Sequence, residues 1–264
     1  MTGFNEIANK LTVQGEGYAA HIPEDWRQGR TAYGGLTAGL SLAAAQKQFP
    51  DLPPFRSVTV NFIGPVSGPP VFTSRLLRQG RNVTSIETEG RVEGKVVSSC
   101  TFIFAGLRDS SVSVDCAAPA APAPKDCEPF TPPGAEGFVP AFFNRFETKL
   151  IEGARPMSGA DRGYIRTWSR HADPASREGI ASLLTLGDVL PPSAAPLFKQ
   201  LGAISSVNWI FTVLMDDPKT NDGWWQVETD LTAAAGGYSS QVMRIWNTDG
   251  ELAAEGMQCV AIFM

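Results

Sequence analysis

The chain carries one order of elements twice, on either side of a proline-rich stretch, and this limits its fold more than any other feature. In the first half, GLTAGLSLAAAQKQF is rich in Ala and Leu, holds no proline and ends before Pro50. It predicts a helix from about Gly35 to Gln48. Before it, LTVQGEGYAAHI reads as strand residues broken by turn glycines. After it come SVTVNFIG, VFTSRLLRQG, NVTSIETEGRVEG and KVVSSCTFIFAG, β-branched runs separated by glycines. They predict antiparallel strands. In the second half, REGIASLLTLGDVL predicts a helix stopped by Pro191 and Pro192. AISSVNWIFTVLM, GWWQVETDLT, YSSQVMRIWNTDG and ELAAEGMQCVAIFM follow as strands.

The repetition extends to residues. SVTVNFI around Asn61 parallels ISSVNWI around Asn208, and GLTAGLSLAA aligns over GIASLLTLGD. EGRVEGKVVSSCTFIF parallels RIWNTDGELAAEGMQCVAIF, each closing on Ile-Phe after a cysteine. Between the halves, Asp109 to Pro140 is dense in Pro and Ala and predicts an extended, semi-rigid connector. The expected division is 1–108, 109–140 and 141–264. Each half is then a long helix that a curved antiparallel sheet must cover. The fold class is α+β, in the double hot-dog arrangement of two tandem units.

Composition narrows the function. Lys plus Arg is 22 against 27 for Asp plus Glu, a formal charge of −5. A mildly acidic chain is expected to bind nucleic acid poorly, because phosphate binding needs a basic patch. No apolar run reaches the ~18 residues of a membrane span, and the opening MTGFNEIANK lacks a signal peptide's basic and apolar regions. The expectation is a cytoplasmic protein. The four cysteines form no CxxC pair, so zinc ribbons and redox motifs are not expected. There is no GxSxG elbow for a serine esterase, and Gly15-x-Gly17 is followed by no βαβ unit. Of the two histidines, His21 reads as a surface or structural residue and His171 as a loop residue near the second helix. Trp209, Trp224 and Trp225 read as core aromatics. Arg27, Arg30 and Arg81 read as solvated side chains.

Three polar residues stand out. Asp188 sits among Leu183, Leu184, Leu186, Val189 and Leu190, where a carboxylate is costly unless it is solvated, paired or used. Partial burial near a helix C-terminus would raise its pKa and suit it to general-base work. The matching position of the first helix is Ala44, so one acid per chain is expected. Ser206 and Gln258 lie in strand runs and could face either way. Gly34 and Gly35 open the first helix, where free N–H groups favour an anionic oxygen. The first half would bring these glycines and the second half Asp188, so the site would form between the halves.

On Tyr33-Gly34-Gly35, VNFIGPV, GRNVTSIETEGRVEGKVVSSCTFIF, LLTLGDVL, ISSVNW and DGELAAEGMQ, the chain resembles the double-hot-dog acyl-CoA thioesterases of the thioesterase II type. The resemblance covers nearly the whole length; the Ala/Pro-rich connector departs from it. It implies that Asp188, Ser206 (Ser for the commoner Thr) and Gln258 activate water, with Gly34 and Gly35 near the thioester carbonyl. It implies hydrolysis of acyl-CoA to fatty acid and coenzyme A. No metal or organic cofactor is implied, coenzyme A being part of the substrate. A homodimer is expected. A hot-dog hydratase would need a histidine after the acid, and none follows Asp188. A non-catalytic acyl-binding module is the alternative from another class.

Overall fold

The computed structural model describes residues 2–200 and 202–264. Its short elements are helix α1 (Phe4–Asn9) and strands β1 (Thr12–Gln14), β2 (Gly17–Ala19), β3 (Arg27–Gln28) and β4 (Thr31–Ala32). Helix α2 (Gly34–Gln48) precedes β5 (Phe55–Phe62), β6 (Val71–Gln79), β7 (Val83–Val92) and β8 (Lys95–Ala105). Then come β9 (Glu128–Pro129), β10 (Phe146–Gly153), β11 (Tyr164–His171) and helix α3 (Ile180–Gly187). The chain ends with β12 (Ala203–Val213), β13 (Trp225–Ala235), β14 (Tyr238–Trp246) and β15 (Leu252–Phe263).

Thirteen of these strands form one antiparallel sheet in the order β1-β2-β6-β7-β8-β5-β12-β15-β14-β13-β11-β10-β9. The two repeated strands meet at its centre: β5 pairs with β12 from Asn61↔Asn208 to Ser57↔Thr212. The halves therefore share one sheet.

α2 is apolar nearly all round, as a helix enclosed by protein must be. Its glycines allow contact with α3. A Cβ on Gly35 would lie 2.4 Å from the Thr185 carbonyl oxygen, and one on Gly39 would lie 2.0 Å from Thr185 Oγ1. The Tyr33 hydroxyl donates to the Thr185 carbonyl at 2.8 Å and pins the same crossing.

The second unit corrects the expectation of a long helix in each half. α3 has eight residues against fifteen in α2. Gly179, at φ 95° and ψ 148°, cannot belong to a helix, so the turn at 177–179 stays outside it. Asp188 ends it at φ −100° and ψ 12°, ahead of Pro191 and Pro192. Sequence reading also missed β10 and β11. These bring His171 to the end of a buried strand, not to a loop, with its ring 4.8 Å from that of Phe146. Trp209 and Trp225 are core residues, whereas Trp224 lies under the Arg170 guanidinium at 4.3 Å.

The connector lies against the second half. Its prolines leave carbonyls without strand partners, and buried side chains supply the donors. Trp246 Nε1 reaches the Cys116 carbonyl at 2.7 Å, and Trp168 Nε1 reaches that of Pro122 at 2.8 Å. Arg166, 4% exposed, donates to the carbonyls of Pro119 and Ala120.

Candidate active site

α3 ends against the start of α2, and Asp188 stands at that junction. A Cβ on Gly34 would fall 2.7 Å from Asp188 Oδ2, so the missing side chain makes room for the carboxylate. The Gly35 N–H, in the first turn of α2, donates to Asp188. It therefore serves the carboxylate as the protein stands, at a helix end that favours an anion.

Gln258 comes from β15, 3% exposed, and its Nε2 donates to Asp188 Oδ1 at 2.9 Å. Burial pushes the Asp188 pKa up to about 7, against the Gln258 and Gly35 hydrogen bonds, which favour the ionised form. The carboxylate is deep in the protein yet keeps partial access to solvent.

Ser206 reaches this place through a bulge. In plain alternation, Ser206 would face opposite to the inward Trp209, three residues away. The register of β12 on β15 shifts between Ser206 and Asn208, so Ser206 pairs with the buried Val260. The extra residue turns the hydroxyl inward. Among the described residues, no hydrogen bond joins Ser206 to Asp188 or Gln258.

A cavity of about 420 Å³ gathers Asp188, Ser206, Gln258 and Gly34 on its wall. Gly35 lies behind it. The remaining lining is mainly apolar and comes from both halves: Phe62, Ile63 and Val66 from the first, Phe142, Leu190 and Ile204 from the second. Among the described lining residues there is no Lys, Arg or His and no acid besides Asp188. Among the described residues no cluster of three or more His, Cys, Asp or Glu could hold a metal. His171 is remote from this chemistry. It contacts the Ser182 carbonyl through Nε2 at 2.9 Å, and burial lowers its pKa to about 4.

Two polar residues here escaped sequence reading. Gln241 of β14 is fully buried and donates from Nε2 to Gln258 Oε1 at 2.9 Å. Ser193 donates to Gln241 Oε1 from its N–H at 2.7 Å and its hydroxyl at 2.9 Å. A signal was present, since Gln241 alternates in phase with Met243 and Ile245, a register that buries a glutamine.

The fold, one antiparallel sheet wrapped on two helices, matches solved hot-dog structures. A protein of unknown function with hot dog fold from Alicyclobacillus acidocaldarius superposes with a TM-score of 0.87 at 23% identity, covering 100% of this chain and 99% of that one. A putative thioesterase II from Thermobifida fusca gives 0.81 at 20%, with 100% and 98% covered. An acyl-CoA thioesterase II, TesB2, from Mycobacterium marinum gives 0.75 at 21%, with 98% of each covered. A comparison with curated protein sequences finds no match. Two family models decide the class: the acyl-CoA thioesterase N-terminal domain matches residues 22–105, and the acyl-CoA thioesterase C-terminal domain matches residues 124–262. The chain belongs to the acyl-CoA thioesterase family and is a thioester hydrolase.

Proposed function

We propose that this protein is a double hot-dog enzyme that hydrolyses acyl-CoA thioesters to free fatty acid and coenzyme A, with Asp188 as the general base. The observation that carries this reading is a lone carboxylate, pushed up to about 7, on the wall of a cavity of mixed polar and apolar lining and held by Gln258. A base with a pKa near the working pH combines ionisation with proton affinity. Asp188 takes a proton from a water held with Ser206 and Gln258. The water oxygen attacks the thioester carbonyl carbon, and negative charge builds on the carbonyl oxygen. Backbone N–H groups of Gly34 and Gly35 receive it. As Asp188 gains its proton it loosens its hold on the Gly35 N–H, just when that oxygen needs a donor. The C–S bond then breaks, and the thiolate recovers the proton from Asp188.

The apolar part of the lining, Phe62, Ile63, Val66, Phe142, Leu190 and Ile204, suits an acyl chain, and the chemistry asks for no metal or organic cofactor. All four cysteines are free, which suits a reducing compartment such as the cytoplasm. Two chains per assembly is the expected state. The test is thiol release over a chain-length series of acyl-CoA substrates with wild type and Asp188→Asn. Release by wild type and a loss of at least ~100-fold in the variant support the base. Equal rates overturn it. Binding without hydrolysis by wild type points to the acyl-binding alternative.

A further inference from the structure

The polar chain behind Asp188 has a direction. It begins at the backbone N–H of Ser193, which can only donate. The Gln241 atom that meets it at 2.7 Å must therefore be the carbonyl oxygen. The Gln241 NH2 group is then left facing Gln258, and the distance there is 2.9 Å. A donor on that side requires the Gln258 oxygen, which turns the Gln258 NH2 group towards Asp188. Gln241 and Gln258 are direct partners across β14 and β15, so their side chains rise side by side from one face. Gln241 is fully buried and Gln258 is 3% exposed, and neither amide can fall back on bulk water.

We propose that Gln241, anchored by the Ser193 backbone, is a positioning residue that fixes which way the Gln258 amide faces and so keeps its NH2 group on Asp188. The inference rests on the reading of Asp188 as the base. An amide is nearly symmetric in shape, so packing alone does not choose between its two orientations. Without the anchor, Gln258 can present its oxygen to Asp188. That arrangement repels the carboxylate and accepts a proton from the carboxylic acid, so it favours the protonated form. The other groups facing Asp188 do not change with this turn. They are the Gly35 N–H from α2 and the Tyr33 hydroxyl ahead of it, which stays protonated.

Gln241→Met keeps the bulk of the side chain and removes both hydrogen-bonding ends. The expected result is a fall in kcat of about 10–100-fold, by analogy with the loss of a hydrogen-bond partner that orients a metal-bound side chain. KM should stay within about twofold, and the acidic limb of the pH–rate profile should move up by about one pH unit. Ser239→Ala, at a buried position on the same strand whose hydroxyl has no hydrogen-bond partner among the described residues, should leave rate and profile unchanged. Gln241→Leu is the second variant, used should Gln241→Met not fold. It too removes both hydrogen-bonding ends without adding a charge beside Asp188, and it should move the limb the same way. An unmoved limb in whichever variant folds overturns the proposal, as does an equal shift in Ser239→Ala. An active Asp188→Asn would instead overturn the base and the relay together. An inactive Asp188→Asn beside an unshifted Gln241 variant overturns the relay alone.

Discussion

Asp188 and His171 are both held away from bulk water, yet burial moves their proton affinities in opposite senses. Asp188 titrates near 7 in the folded chain, so its share of stability is fully present below about pH 4 and is lost as pH rises through 7. His171 titrates near 4, so its share is present above about 6.5 and is lost as pH falls through 4. A full shift is worth at most about 4–5 kcal/mol for Asp188, less what cavity water recovers, and about 3–4 kcal/mol for His171. Between pH 4 and 6.5 the two offset each other. Asp188→Asn removes one side of this balance. Its melting temperature should exceed that of wild type at pH 8 and fall on acidification from 6.5 to 4.5, where wild type changes little. Calorimetry at stepped pH reads this, and parallel curves for the two proteins would contradict the assignment. In wild type, kcat/KM should rise about tenfold per pH unit below 7 and level off above it. Asp188 and Gln258 were legible in sequence because a carboxylate among leucines and a family motif both point at them. The aim of Ser206 was not, because it depends on a bulge that no alternation pattern reveals.

The crossing of α2 on α3 does at the level of elements what the hydrogen bonds do at Asp188. It sets the distance between the first turn of one helix and the last residue of the other. A methyl group on Gly35 would meet the Thr185 carbonyl oxygen at 2.4 Å and the Tyr33 ring at 2.6 Å, and backbone cannot step aside cheaply. Gly35→Ala should therefore cost about 1–3 kcal/mol, with activity falling further than stability because the Gly35 N–H moves off Asp188. Gly39→Ala strikes chiefly the Thr185 hydroxyl and should be milder in both respects. Chemical denaturation beside thiol-release rates separates the two variants, and equal activity losses would show that the crossing does not set the site. Sequence located α2 well because an unbroken Ala/Leu run ends at a proline. It overextended the second helix because Arg177–Gly179 continue the pattern of helix-tolerant residues, while Gly179 holds a backbone conformation that only the folded chain displays.

Two halves were readable in the sequence because their elements recur in order. Their fusion into one sheet was not, since strand pairing between β5 and β12 is a long-range choice that local patterns do not encode. This fusion makes the cavity a property of the whole chain, with Gly34, Phe62 and Val66 from one half facing Asp188, Leu190 and Gln258 from the other. The connector adds little to holding the halves together. From Cys116 to Pro122 its carbonyls are bound by Trp246, Arg166 and Trp168, all in the second half. Upstream, Leu107, Val112 and Val114 are strongly exposed. A break at residue 110 should therefore leave every strand pair, the helix crossing and the connector's hold on the second half intact. Fragments 1–110 and 111–264 produced together should copurify as one particle and hydrolyse acyl-CoA within about tenfold of the unbroken chain, the loss reflecting only the entropy of bringing two pieces together. Fragment 111–264 produced alone keeps Asp188, Ser206 and Gln258 but loses the Gly35 donor and half of the cavity wall. It should be inactive even where it stays in solution. Size-exclusion chromatography with thiol release on the same fractions checks both statements. Full activity in the isolated second fragment would mean that the site is complete without α2, contrary to the position of Asp188 against Gly34.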